Sequence, residues 1–276
     1  MLIDGHCLLF QMFYGMPARI LGKHGKPIQG TLGFVGAMRK ILAMTSPTHV
    51  AVIFDGETFN PRTALDTDYK ANRDDFCEAA DEDNPFSQLP DIYRALDYMG
   101  ICHTETADCE TDDVLAAYAK AFGNDFEIVI CSQDSDFFQL ISDNVSVLRY
   151  RGDSSAVCDV VYMREKFGIT PAQYADFKSL TGDGSDNIKG IPGIGPKNAA
   201  ALMAEFGTLE NLLQNTEQIV KPKVRESIEQ NKERLLLNQR LITLDGCAAI
   251  PFLPEQMAYQ PTPYCTNEIL QAINIK

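Results

Sequence analysis

The sequence predicts an α/β fold: a mainly parallel central sheet with helices on both faces, followed by a smaller helical region. Short apolar runs rich in β-branched residues recur at Met1–Ile3, Val50–Phe54 and Glu127–Cys131. Stretches of helical periodicity separate them, the alternation that builds parallel strands through crossover helices. Each run ends in acid: Asp4, then Asp55, then Asp134 and Asp136. Ligands of an open parallel sheet gather beyond the carboxyl ends of its strands, so these aspartates are expected to converge there.

Residues 1–165 are expected to form this α/β domain. Within it, residues 57–95 read as an exposed arch, irregular and of mixed charge, with the acidic run EAADED. Beyond Tyr162 the pattern turns helical, so residues 166–250 are expected to form a helical region ending in one long amphipathic helix from about Lys223 to Leu244. Residues 251–276, with four prolines, read as an extended strap closing on a short helix at Asn267 to Ile273.

Composition narrows the class. A chain of 276 residues with 45% apolar content can bury a full core. Its eight cysteines include no C-x-x-C pair and only four histidines accompany them, so neither a zinc site nor a disulfide framework is indicated. The sequence shows no signal-peptide pattern and no run of about 18 apolar residues, which points to the cytoplasm and away from membranes. The net charge of −14 does not exclude DNA. Carboxylates clustered at segment ends can be offset by cations, while lysines and arginines form separate patches.

Four acidic clusters carry the chemistry: LIDG at 2–5, FDG at 54–56, ETDD at 110–113 with DSD at 134–136, and GDGSD at 182–186. Hard divalent ions take oxygen ligands, and a two-ion nuclease site holds its ions roughly 4 Å apart. Each cluster has an ordinary reading as well. D-x-D after a strand is commonly a solvated loop, GDGSD a turn, and ETDD an acidic first helical turn favoured by the helix dipole. Their conjunction in one chain without zinc ligands argues for a shared site.

GIPGIGPKNAA, residues 190–200, has the form of a helix-hairpin-helix turn. Backbone N–H groups near Gly190, Gly193 and Gly195, with Lys197 and Lys189, could hold a DNA phosphate without reading sequence. A plain helical turn is the alternative. Lys221, Lys223 and Arg225 form a second basic set. On the arch, YKANR places Tyr69, Lys70 and Arg73 where cations could meet a scissile phosphate and an aromatic could stack on a base.

Together these motifs resemble the 5′ nuclease or flap endonuclease family, in particular the 5′-to-3′ exonuclease domain of bacterial DNA polymerase I and its stand-alone forms. The matching residues are Asp4-Gly5, Phe54-Asp55, Tyr69 to Arg73, Glu110 to Asp113, Ser132 to Asp136 and Gly182 to Gly195. The resemblance implies a PIN-like sheet and a structure-selective 5′-to-3′ exonuclease and flap endonuclease. It implies two Mg²⁺ ions, replaceable by Mn²⁺, and a monovalent cation at the helix-hairpin-helix. Asp4, Asp55, Glu110 and Asp112 would lean toward one ion and Asp134, Asp136, Asp183 and Asp186 toward the other, with Asp113 close by. Expected partners are DNA with a 5′ flap, 5′ overhang or nick, and RNA-primed 5′ strands, bound by a monomer. The chain departs from the family pattern in basic positions: Gln11, Asn60, Ser135 and Lys189 replace an arginine, an arginine, a basic residue and a proline. Lys189 and Arg62 are candidates to restore phosphate steering. A D-x-D magnesium phosphatase and a non-catalytic branched-DNA binder are the rival readings; the hairpin and YKANR speak against the first, the intact carboxylates against the second.

Overall fold

The computed structural model describes residues 1–23, 25–56, 61–73, 76 and 79–276. Asn60, Asp74 and part of the expected arch fall outside the described residues. The strands are β1 (Leu2–Asp4), β2 (Ala51–Phe54), β3 (Cys102–Glu105), β4 (Ile128–Cys131), β5 (Val145–Arg149) and β6 (Ala156–Cys158). They form one sheet in the order β3-β2-β1-β4-β5-β6, with every pair parallel except β5–β6.

Alternation along the central strands builds two cores. Leu2, Ala51 and Ile53 face a layer containing Val114, Leu115 and Phe137. Ile3, Val52 and Phe54 face the other, with Phe34, Met38 and Ile41. A strand buried on both faces reads as an unbroken apolar run, which is why β1, β2 and β4 stand out in the sequence. The second layer comprises α1 (Gly5–Gly15), α2 (Gln29–Thr45) and α3 (Leu89–Tyr98). The first is covered by α4 (Thr111–Phe122) and by the helical region. Since α3 begins at Leu89, the expected arch ends earlier than residue 95. Its apolar face (Ile92, Ala95, Leu96) is buried against the sheet.

The helical region contains α5 (Val160–Phe167), α6 (Tyr174–Thr181), α7 (Pro196–Phe206), α8 (Leu209–Gln214), α9 (Pro222–Gln230) and α10 (Lys232–Ile242). The single long helix expected from Lys223 to Leu244 is two helices. Asn231 leaves helical geometry (φ −118°, ψ 23°), and its Nδ2 donates to the Ser227 carbonyl at 2.7 Å. Side-chain competition for backbone partners of this kind makes asparagine a helix terminator. The strap pairs with residues 48–50 through Val50 N–H to Met257 O and Tyr259 N–H to Thr48 O. It ends in α11 (Thr266–Ala272), whose Ile269 and Leu270 join the second core.

Between α6 and α7 lies a two-stranded hairpin of β7 (Gly182–Asp183) and β8 (Ile188–Lys189). Gly190 packs so tightly that a Cβ would overlap the Thr181 carbonyl group, which is backbone and cannot yield. Gly190 therefore serves close approach to the end of α6. Gly190→Ala should lower urea unfolding stability by about 2–4 kcal/mol, in line with backbone collisions in packed sites. A loss below about 0.5 kcal/mol would show that the hairpin can separate freely.

Candidate active site

Asp4 does two jobs at the end of β1. Its Oδ1 accepts the Cys7 N–H at 2.9 Å and so caps α1, while Oδ2 accepts the Ser132 hydroxyl at 2.8 Å. Burial, reinforced by the charges of Asp55 and Asp134, pushes its carboxyl up to about 7. Asp55 follows β2. Burial works to raise its carboxyl, but the His6 ring beside it, the Thr111 N–H (2.7 Å) and the Lys70 charge bring it down to about 2. Glu110 caps α4 in a reciprocal box with Asp113, and Asp112 projects from the first turn. Burial, then repulsion from Asp134, holds Asp112 well above the usual carboxylate range.

The loop after β4 supplies Asp134, whose Oδ1 accepts the Asp136 N–H at 2.8 Å. Asp134 is the hub of the cluster, since its charge bears on Asp4, Asp112, Asp136 and Asp186 alike. The β7–β8 hairpin brings in Asp183 and Asp186. Among the described residues, Asp136, Asp183 and Asp186 each offer an oxygen within 4.8 Å of the others. Burial raises Asp186 above its ordinary range and Asp136 to about 7.

Cations already thread this cluster. Lys70 adopts φ 55°, an uncommon backbone state for a non-glycine residue. Its N–H donates to the Asp186 carbonyl at 3.0 Å and its Nζ pairs with Glu110. Tyr69 is buried, and its hydroxyl donates to Glu110 at 3.1 Å and to Asp186 at 3.4 Å. Arg73, half exposed, reaches Asp186 Oδ1 at 3.0 Å. All three YKANR side chains singled out in the sequence therefore lie against the carboxylates.

Two expectations need correction. Arg62 is buried rather than free to steer phosphate: its guanidinium donates to Glu110 (2.6 Å), to both oxygens of Asp113 (2.6 and 2.8 Å) and to the Leu241 carbonyl at the end of α10 (2.9 Å). Asp113, expected near the metals, is thereby committed to Arg62 and to the Glu110 N–H at 3.2 Å. A bidentate arginine pair of this kind fixes geometry, here between α4, the helical region and the base of the arch.

Sequence reasoning missed Lys178. It is buried on α6 and its Nζ bridges Asp136 and Asp183, with Ser135 Oγ at 3.2 Å. Burial works to lower the ammonium, but the two aspartates outweigh it and hold it above the ordinary lysine range. On the other partner, burial pulls Asp183 upward, and Lys178 with the Ser185 hydrogen bonds draws it below its usual value. Nothing in the segment DFKSL, whose lysine lies five residues before Asp183, set Lys178 apart from a solvated helix residue.

The hairpin turn lies outside this cluster. Gly193 has φ 78° with open space around it, Gly195 caps α7, and Lys197 is exposed in the first turn. Lys189 is exposed, while Lys221 Nζ donates to Asn198 Oδ1 at 2.9 Å, joining α9 to the same surface.

This geometry can be compared with known proteins. Residues 1–168 match the 5′-3′ exonuclease N-terminal resolvase-like domain and residues 169–264 the 5′-3′ exonuclease C-terminal SAM fold. The chain is similar to the thermostable DNA polymerase I of Thermus filiformis, 38% identical over 86% of this chain and 27% of the relative. It is also similar to DNA polymerase I of Mycobacterium bovis, 33% identical over 95% of this chain and 29% of the relative. It thus spans under a third of the length of these curated relatives. Among solved structures, bacteriophage T5 5′-exonuclease with divalent zinc ions superposes with TM-score 0.73 and 23% identity, covering 99% of this chain and 98% of that one. A T5 flap endonuclease complex with DNA and metal ions gives TM-score 0.73, 21% identity and the same coverage. At such identities the superpositions speak to the fold, whereas the two domain matches run in order through both halves of the chain. The chain belongs to the 5′-3′ exonuclease family.

Proposed function

We propose that the chain hydrolyses phosphodiester bonds at 5′ flaps, 5′ overhangs and nicks of DNA, and at RNA-primed 5′ strands, using two Mg²⁺ ions for which Mn²⁺ can substitute. The observation that carries the reading is the meeting of Asp4, Asp55, Glu110, Asp112, Asp134, Asp136, Asp183 and Asp186 beyond one end of the sheet, several of them with carboxyls raised by burial and mutual repulsion. An all-oxygen, anionic donor set fits hard divalent ions, and their charge would relieve that repulsion.

Two such ions held there would supply Lewis-acid activation of a water and charge stabilisation of the departing oxygen. The chain's own residues then have separate tasks. Asp4, Asp55, Glu110 and Asp112 would face one ion and Asp134, Asp136, Asp183 and Asp186 the other. Lys70 and Arg73 supply positive charge to the phosphoryl group in the transition state, and Tyr69 holds Glu110 and Asp186 in register. Lys178 pairs with Asp136 and Asp183 and draws Asp183 toward its ionised form. The open turn at Gly193 and Gly195, with Lys197, Lys189 and Lys221, holds the duplex backbone, assisted by a monovalent cation at the turn. In this division residues 1–165 supply most of the ion-facing carboxylates, while residues 166–250 add Asp183, Asp186 and Lys178 to the site and grip the duplex. The chain would act as a monomer in the cytoplasm; no helix among the described residues is long and apolar enough to cross a membrane.

The deciding experiment is cleavage of a 5′-labelled flap duplex with Mg²⁺ titrated from zero in chelator-treated protein. No cleavage is expected without the ion, with activity returning on Mg²⁺ or Mn²⁺. Persistent cleavage in excess chelator would overturn the two-ion reading.

A further inference from the structure

His6, the second residue of α1, sits behind Asp55. Its Nδ1 lies 3.3 Å from the Asp55 backbone N–H, which donates to it, and 3.5 Å from Asp55 Oδ2. The ring is wedged edge-on between Phe54 (centroids 5.5 Å) and Phe86 (5.2 Å), and its side chain is 15% exposed. The Asp55 N–H lies just past the last residue of β2, where the pairing of β1 with β2 has already ended at Asp4 and Ile53. It finds its acceptor in the imidazole. On the other side, Asp55 Oδ1 is fixed by the Thr111 N–H at 2.7 Å. The carboxylate is thus held from α1 and from α4, with Oδ2 an oxygen that no backbone N–H of the described residues engages.

The cost of using histidine here argues for a purpose. Since Nδ1 accepts, the neutral ring carries its proton on Nε2, and Nε2 is buried with no hydrogen-bond partner among the described residues. Phenylalanine would fill the same space between Phe54 and Phe86 without that unsatisfied group. Packing alone does not explain the residue, whereas the Nδ1 acceptor does. We propose that His6 is a positioning residue for Asp55: by accepting the Asp55 N–H it fixes the direction in which the carboxylate is presented to a divalent cation. The proposal rests on reading the carboxylate cluster as a divalent-cation site. It also links that site to the Pro85–Gln88 turn through Phe86.

The test is direct Mn²⁺ binding to the full chain without DNA, by calorimetry and by electron paramagnetic resonance of free Mn²⁺. Ligand-orienting groups typically change metal affinity about 10–100-fold when removed, so His6→Phe, which keeps the ring contacts and loses the acceptor, should weaken Mn²⁺ binding about tenfold. His6→Leu, also without an acceptor, should do the same. His6→Asn should stay within about twofold of the parent, because its Oδ1 sits the same number of bonds from the backbone as Nδ1 and can accept the same N–H. Circular dichroism melts in chelator should place His6→Phe at or above the parent, which separates positioning from folding. The proposal is overturned if His6→Phe binds Mn²⁺ like the parent, or if His6→Asn is as weak as His6→Phe, which would assign the effect to the ring. Failure of the parent chain itself to bind Mn²⁺ would instead overturn the cation-site reading beneath the proposal.

Discussion

Asp134→Asn should reduce flap cleavage about 10³-fold while raising the melting temperature of the metal-free protein. The two effects have one cause. Asp134 is the carboxylate whose charge bears on Asp4, Asp112, Asp136 and Asp186 together. Neutralising it removes the negative charge that a pair of cations needs at the middle of the site, and losing one such electrostatic contribution to a transition state typically costs about 10²–10³-fold or more in rate. The same change relieves like-charge repulsion among buried groups, for a gain of roughly 1–2 kcal/mol in chelator. Asparagine keeps the Oδ1 that accepts the Asp136 N–H, so the loop after β4 retains its shape. Single-turnover cleavage and scanning calorimetry in chelator read the two arms. Activity within tenfold of the parent would remove Asp134 from the ion-binding set, and a lower melting temperature would mean that the cluster is not repulsive.

How much of this was legible in the sequence depends on where burial comes from. β1, β2 and β4 are buried on both faces and announce themselves as apolar runs, and the acids that follow them mark the carboxyl edge of the sheet. β3, the edge strand CHTE, carries no such run and was not anticipated, nor were the strands β5 and β6 at the other edge. Lys178 was illegible for a related reason. In isolation QYADFKSL is an amphipathic helix with a solvated lysine, yet all of α6 but Thr181 is buried once the hairpin and α10 close over it. Arg62 was misread in the opposite sense: an arginine on an irregular stretch suggests a free cation, and only the fold brings Glu110, Asp113 and the end of α10 around it. Position in the chain revealed the acids that follow strands. It could not reveal the ion pairs that Arg62 makes with Glu110 and Lys178 with Asp136, which join residues more than 40 positions apart.

Lys178→Met should destabilise the metal-free protein at pH 8 by about 3–5 kcal/mol, the cost of leaving buried carboxylates without their counterion. Methionine preserves the length and most of the apolar stem, so the loss reports the charge and the hydrogen bonds to Asp136, Asp183 and Ser135. The effect should depend on pH with a definite sign. Above pH 7 both aspartates are ionised in the folded parent, and the gap between parent and variant is widest. As pH falls through about 7, Asp136, raised by burial, takes up a proton and part of the bridge is lost in the parent too. Asp183 is depressed, so its contribution is present above the unfolded carboxyl range and disappears only as pH falls below about 4. The gap should therefore narrow stepwise toward acid. A divalent cation should narrow it by another route, because an ion among Asp136, Asp183 and Asp186 supplies the missing charge. Ca²⁺ at about 10 mM should then raise the melting temperature of Lys178→Met more than that of the parent. Melting curves from about pH 3 to 8, with chelator and with Ca²⁺, decide the matter. A stability loss that is the same at every pH and unaffected by Ca²⁺ would make Lys178 a packing residue whose charge is incidental to the carboxylates around it.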